Sequence, residues 1–365
     1  MDGLDPTVEA QLARNPFQTR EWLEFLARTQ QGEPVVAHVE RDGEVVGAYA
    51  GVIVRHMGVR ILGSPFQGWM TGPMGFSLQP GVSRAEAMKA LMRFAFRELG
   101  CLHVELMDRH AGFDELGGQR ARLVEFPTFE LDLRQSEDDL FAGMTSACRR
   151  AIRKSQRVGV RVEEARGVEF ADEYYDQLLS VFGRQGRKPP YGLERVREMI
   201  RCTEPAGNLL MLRAVAQDGE RIATALFPAG EEFAYFWGGA SWRSHQILRP
   251  NEAIFWHAIR HFRERGVLMF DFGGGGDFKR KYGAPEKLIP YVRKSRVPGM
   301  LALRDLAAYV YKRRATRLPG PPPAPAPVAP GRAATPFPRA TARRLEPPAG
   351  QPAERDPVEH DPAER

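Results

Sequence analysis

Two stretches of the chain alternate apolar and polar residues around an Asp-Gly turn: "VVAHVERDGEVVGAYAGVIV" (35–54) and "LLMLRAVAQDGERIATALFP" (209–228) each predict strand, turn, strand. Two others change from a helical to an extended pattern at a glycine. "FRELGCLHVEL" (96–106) and "FRERGVLMFDF" (262–272) align without gaps, and each predicts the end of an amphipathic helix, a glycine stop and an apolar strand. The landmarks recur in the same order with an indel of about ten residues between them, so two copies of one β-β-(β)-α-β unit account for the pattern most simply. Strand pairs followed by a helix and a further strand predict an α/β (α+β) fold in which each copy is a mixed sheet flanked by helices.

These landmarks place a first domain at 1–130 and a second at 131–300, the second preceded by helices at 137–158, 169–182 and 193–202. After the strand "LIPYVRKSR", a helix at 301–314 ("LALRDLAAYVYKRR") closes the ordered part and is expected to complete the first domain. From 318 to 365 the chain turns Pro- and Ala-rich and nearly loses its large apolar residues, which predicts a disordered tail with polyproline II stretches.

Composition narrows this picture little: 43% hydrophobic and 27% charged residues in 365 are ordinary for a globular chain. A net charge of +6 permits a polyanionic partner without demanding one. Cys101, Cys148 and Cys202 lie far apart with no C-x-x-C spacing, which argues against a disulfide framework or a structural zinc site and for a reducing compartment. The acidic start "MDGLDPTVEA" has no secretory pattern, and no run of about 18 apolar residues occurs. A cytoplasmic location with at most peripheral membrane contact is expected.

Four segments carry candidate chemistry. In "SEDDLFAGMTSACRRAIRKSQRVG" (136–159) Ser136 is a candidate N-cap and Gly159 a C′ residue; Phe141, Met144, Cys148, Ala151, Ile152 and Ser155 share one face, and Arg149, Arg150, Arg153, Lys154 and Arg157 the other. That basic face reads equally as good helix design or as an anion-binding ridge, since no acid lies between Arg149 and Arg161.

"DFGGGGDFKRKYGAPE" (271–286) is neither a Walker A loop nor a dinucleotide fingerprint. It reads as a strand ending in Asp271, a glycine run including Gly274 and Gly275 that lets backbone N–H groups approach a ligand, and a segment presenting Phe278, Lys279 and Lys281. In "FAYFWGGASWRSHQILRPNEAIFWHAIRHF" (233–262), a strand with Trp237 and a glycine pair leads to a helix capped by Asn251 and preceded by Arg243 and Arg249, a competent anion site. His257 and His261 stand at i, i+4, but no zincin glutamate or third ligand is evident and no metal is expected. "GRQGRKPPYGLE" (183–194) is a basic loop that either lines a pocket with Lys188 and Tyr191 or simply joins two helices. No G-x-S-x-G elbow or Cys/His pair supports covalent catalysis.

Taken together, "NPFQTREWLEFL", "FAGMTSACRRAIRKSQRVGV", "YFWGGAS" and "FDFGGGGDFKRKYGA" resemble the FemAB-like branch of the GNAT acyltransferases, including CelD-like proteins, over about 15–300. The resemblance implies two GNAT-like domains in tandem, a junction-helix R-x-x-I-R pattern that falls on Arg149, Ile152 and Arg153, and a reaction-centre Phe-Lys pair that falls on Phe278 and Lys279. It further implies direct attack of an amine on an activated acyl carbonyl; the physical needs of that step point to Lys279 for the oxyanion or leaving group and to Asp271, Asp277 or water as proton acceptor.

The segment "RSHQILRPNEA" replaces the pyrophosphate loop of simple GNAT enzymes, which counts against acetyl-CoA, and no long helical arm of the aminoacyl-tRNA-dependent members is evident, which counts against aminoacyl-tRNA; neither donor is singled out, so the expected co-substrate is acyl-CoA or aminoacyl-tRNA, with no tightly bound cofactor. The expected activity is N-acyl transfer to an amine on a bacterial cell-envelope, peptidoglycan or polysaccharide-linked acceptor. The alternative is a non-catalytic protein that binds RNA or a membrane surface through its basic helix at 149–161.

Overall fold

The computed structural model describes residues 6–56, 58–116, 121–274, 276–297 and 299. The helix expected at 301–314 and the Pro-rich tail lie outside them. The first half runs α1 (Pro6–Ala13), α2 (Arg20–Gln30), β1 (Glu33–Arg41), β2 (Glu44–His56), β3 (Val59–Ser64), β4 (Phe76–Leu78), α3 (Arg84–Arg93), β5 (His103–Met107), α4 (Phe113–Leu116) and β6 (Arg122–Asp132). The second half runs α5 (Glu137–Gly143), α6 (Ser146–Arg157), β7 (Arg161–Ala165), α7 (Phe170–Gly183), α8 (Leu193–Thr203), β8 (Leu209–Val215), β9 (Arg221–Pro228), β10 (Phe233–Tyr235), β11 (Gly238–Ser241), α9 (Pro250–Glu264), β12 (Met269–Asp271) and β13 (Glu286–Ser295).

The repeated pattern is a repeated structure. In each half an antiparallel hairpin, β1–β2 or β8–β9, precedes a strand-helix-strand unit whose two strands pair in parallel: β3 with β5 around α3, and β10 with β12 around α9. The hairpins differ at their turns. Asp42 and Gly43, both at positive φ, form a two-residue turn between Arg41 and Glu44, as the Asp-Gly signal predicts. The second pairing ends at Val215 and Arg221 after a register shift at Ala214/Val215, so its Asp-Gly pair sits in a longer loop.

The halves are joined by an exchange of strands. β6, from the first half, pairs with β12 of the second; β13, from the second half, pairs with β5 of the first; and β6 and β13 pair with each other along the middle. The result is one nine-stranded sheet, ordered β1-β2-β3-β5-β13-β6-β12-β10 with β4 on β2, beside a four-stranded sheet β11-β9-β8-β7. β6 therefore runs across the boundary drawn at 130/131, and β13, from beyond it, pairs into the first half.

Helices cover both faces of the sheets, so central strands lose their alternation: β2 is buried without interruption from Gly47 to Ile53. Ala48, Ala50 and Val52 join a core formed with Trp22 and Phe25 of α2, Met199 and Ile200 of α8, and Tyr174, whereas Tyr49 and Ile53 face Met88 and Leu91 of α3. Phe227, Phe255, Phe262, Phe270, Phe272 and Tyr282 of the second half pack into a further core, which Phe129 and Leu131 of β6 join.

Candidate active site

The last parallel rung between β10 and β12 opposes Tyr235 to Asp271. One residue further on, Phe236 N–H donates to the Asp271 carbonyl at 2.8 Å, and Trp237 N–H turns away to the carbonyl of Leu226 at 3.0 Å. From here β11 follows β9, while the chain beyond Asp271 enters the glycine run, so the two strands open into a wedge. Among the described residues no strand pairs with the other edge of β11, a run of Gly238, Gly239, Ala240 and Ser241.

Asp271 is fully buried where the wedge begins. Its Oδ1 accepts from the Gly273 N–H at 2.7 Å and from the Thr128 hydroxyl across β6; its Oδ2 has no partner among the described residues. Burial, aided by the Glu130 charge opposite, raises the carboxyl to about 6, against the hydrogen bonds from Thr128 and Gly273, which hold it down. Glu130 itself is held by Arg109 at 3.0 Å and Lys287 at 2.9 Å, and the Arg109 guanidinium lies 4.2 Å from the centre of the Phe233 ring. Strand pairing sets this row: Lys287 opposes Thr128, Glu130 opposes Asp271, and Asp271 opposes Tyr235. Burial and the Asp271 charge push the Tyr235 phenol well up, so it stays a neutral donor.

After Asp271 the backbone reverses at Gly273, with φ 76°. A Cβ there would lie 2.8 Å from the Tyr235 hydroxyl, so both the conformation and the contact require glycine. A short helical turn, Asp277–Tyr282, then folds Lys279 back. Its Nζ donates to the carbonyls of Gly273, at 2.8 Å, and Gly274, leaving one of three N–H donors. Lys279 is buried, and desolvation lowers its ammonium to about 8 against the pull of Asp271. Phe278 beside it is 51% exposed, its ring centre 5.7 Å from Nζ. Tyr282 anchors the turn by stacking on Phe272 at 5.2 Å.

The remaining expected site residues divide. Trp237 is buried, donates from its indole to the Met70 carbonyl at 2.8 Å and packs against Tyr191 with ring centres 4.5 Å apart and planes tilted by 39°. The Tyr191 hydroxyl shares a hydrogen bond of 2.6 Å with Tyr174, and this pair seals the β11 side of the wedge over Gly238. Lys188 is exposed on the loop and joins none of this. Arg243 and Arg249 are exposed before α9. Asn251 is not the helix cap: Arg249, at φ 63°, takes that position, Pro250 follows, and the Asn251 amide reaches back to the Ser241 hydroxyl at 3.3 Å. A proline that presets the first helical φ displaces the cap by two residues. Glu252 in that first turn pairs with Lys281 at 2.8 Å, so a protein carboxylate already stands at this helix end.

The helix expected at 137–158 is two helices. Ser136 caps α5 as expected, but Met144 is extended and Thr145 caps α6 by accepting from Cys148 N–H. Arg149 turns inward, donating to the carbonyls of Ala142, at 2.7 Å, and Met144, and so closes the end of α5 rather than joining a ridge. Arg153 is exposed over the Phe141 ring at 5.1 Å. Arg150, Arg153 and Arg157 keep the basic face, and none of them pairs with a carboxylate among the described residues. Gly275 and the Asp277 side chain lie outside the described structure. Thr128, Glu130, Arg109 and Tyr235 went unnoticed in the sequence; Thr128 and Glu130 leave only the signal of buried polar residues inside a strand pattern.

The comparisons with known proteins agree with this geometry. Residues 143–282 match the model of the acetyltransferase (GNAT) domain. No curated protein matches the sequence. The fold is shared with the crystal structure of FemX at a TM-score of 0.66 and 14% identity, over 80% of this chain and 96% of that one. It is also shared with L-PGS from Bacillus licheniformis (TM-score 0.53, 14% identity, 85% and 97% covered) and with a conserved protein of unknown function from Bacteroides thetaiotaomicron VPI-5482 (0.53, 12%, 80% and 96%). Residues 143–282 thus match a GNAT acyltransferase domain, as the resemblance read from the sequence implies, within a fold shared with FemX.

Proposed function

We propose that this protein is an N-acyltransferase whose second domain passes an acyl or aminoacyl group from an activated donor to an amine of a cell-envelope precursor. The observation that carries this reading is the Asp271–Gly273–Lys279 arrangement at the mouth of the β11/β12 wedge. A donor with an extended, amide-bearing arm can pair with the open edge of β11, as a strand would. Its carbonyl then comes to the glycine run, where the remaining Lys279 N–H serves the oxygen as charge develops. Asp271, ionised above about 6, accepts the proton that the attacking amine sheds as it adds to the carbonyl, directly or through one water at Oδ2. The C–N bond forms as the bond to the donor's leaving group breaks, and the proton leaves with Asp271.

Acyl-CoA and aminoacyl-tRNA both fit as donors, since both are polyanionic and the exposed Arg150, Arg153 and Arg157 offer unpaired positive charge. The match to a GNAT domain supports the former; the shared fold with FemX and L-PGS is compatible with either. Incubation with labelled acyl-CoA or charged tRNA and a panel of amine acceptors distinguishes them. The same arginines favour a second reading, a non-catalytic polyanion binder. It predicts steeply salt-dependent RNA or anionic-vesicle binding with no turnover from either donor.

A further inference from the structure

α9 carries His257 and His261 on one side, their ring centres 6.4 Å apart and 24° from parallel. The edge strand β7 passes this side and supplies Glu164. One carboxylate oxygen lies 2.8 Å from His261 Nδ1 and 3.8 Å from His257 Nε2. One ligand atom from each residue can be chosen with no two more than 4.8 Å apart. The sequence shows only the histidine pair; the fold adds the third donor from a strand far upstream.

We infer that Glu164, His257 and His261 bind one divalent transition-metal ion of the zinc class and that this ion ties the edge strand β7 to α9. Two imidazoles and a carboxylate are the donors such an ion takes, at about 2.0–2.2 Å, whereas calcium and magnesium call for mostly oxygen shells. Bonds of that length bring ligand atoms to roughly 3.3 Å from one another in a tetrahedron. Small side-chain rotations achieve this from the spacing present. The two histidines are held rigidly: their helix buries Ile254, Phe255, Ala258, Ile259 and Phe262 on its inner side.

The site is also open to solvent. The side chains of Glu164, His257 and His261 are 45%, 34% and 17% exposed, and Glu164 and His261 line a polar cavity of about 410 Å³ from which water completes the shell. His261 lies nine residues along α9 from Glu252, roughly 14 Å at 1.5 Å per residue. Glu252 is the residue that contacts the Lys279 turn through Lys281, so the metal site is distinct from the proposed transfer chemistry.

Titration of the full chain with Zn²⁺ against a chromophoric chelator tests this, with Co²⁺ absorption reporting the ligand field. The expected result is one tight equivalent, a Zn²⁺-dependent rise in Tm that Mg²⁺ does not produce, and loss of both in H257A/H261A with transferase activity unchanged. Glu164→Gln keeps the shape and should weaken Zn²⁺ binding by about tenfold or more, which serves if the double variant does not fold. Absence of saturable Zn²⁺ binding, or equal affinity in wild type and E164Q, overturns the assignment.

Discussion

Thr128 and Asp271 meet across β6 and β12, the hydroxyl donating to Oδ1 while Oδ2 has no partner among the described residues. The contact joins a strand of the first half to the end of a strand in the second, and it exists because β6 crosses into the second sheet. A carboxylate is thereby fixed at the wedge with one lone-pair face reserved.

Asp271→Asn separates chemistry from architecture. The amide oxygen still accepts from Thr128 and Gly273, so the turn is kept. Because the folded state holds the Asp271 proton more tightly than an unfolded carboxylate does, with its value raised to about 6, ionisation at neutral pH costs stability, and the neutral amide removes that cost. At pH 7.5 the variant should melt no lower than wild type while kcat/KM falls by about 100-fold or more. Thermal melts and steady-state rates on one preparation check both halves.

The pH profile of kcat/KM should be a bell. Activity rises as Asp271 loses its proton through about 6, and falls as Lys279 loses its own above about 8. Lys279→Arg, charged at all these pH values, should remove the alkaline limb at a lower plateau. Survival of that limb in the variant would assign it to another group.

Gly238→Ala drives a methyl to 2.4 Å from the Tyr174 hydroxyl and 3.2 Å from that of Tyr191. The tyrosine pair must part and the Tyr191 ring shift from Trp237. Overpacking of this kind costs about 1–3 kcal/mol, so a lower Tm is expected, with KM for the donor raised more than kcat is lowered. Donor-dependent kinetics on the variant give the split.

Arg149 and its neighbours should behave oppositely. Arg149→Ala opens the end of α5 and lowers stability by about 1–2 kcal/mol, the scale of hydrogen bonds from a charged, part-exposed group. R150E/R153E/R157E leaves Tm nearly unchanged, because these side chains are exposed, but raises the donor KM and flattens its salt dependence. Chemical denaturation and kinetics at two ionic strengths distinguish the cases.

The exchanged strands predict one unfolding transition rather than two for the described body. Ile289, fully buried on β13 with Met107 and Tyr291, lies between the halves. Ile289→Ala should lower the stability of both by the same about 2–5 kcal/mol. Two resolved transitions in calorimetry would contradict this.

Periodicity made the repeat legible: the paired hairpins and the two helix-glycine-strand junctions stand where their patterns put them. The Lys279 turn was legible too, because a glycine run at a strand end has few other uses. What stayed hidden depends on pairing between distant segments. Nothing near Thr128 or Glu130 announces that β6 will lie beside β12, and nothing in the 149–153 motif shows that Arg149 bends back on a helix end. That break arises from Met144 and Thr145, where an N-cap competes with continuation of the helix, a contest decided by the Lys281 carbonyl accepting the Thr145 N–H at 2.9 Å.

We propose that Lys279 and Asp271 carry an acyl transfer to an amine at the wedge. The most direct test is a single-turnover assay with labelled acyl-CoA or aminoacyl-tRNA and an amine acceptor, run on wild type, K279A and D271N with folding verified for each. Label is expected in the acceptor for wild type, with a fall of about 100-fold or more in both variants. Transfer at the wild-type rate in either variant, or no transfer from either donor to any amine, would contradict it.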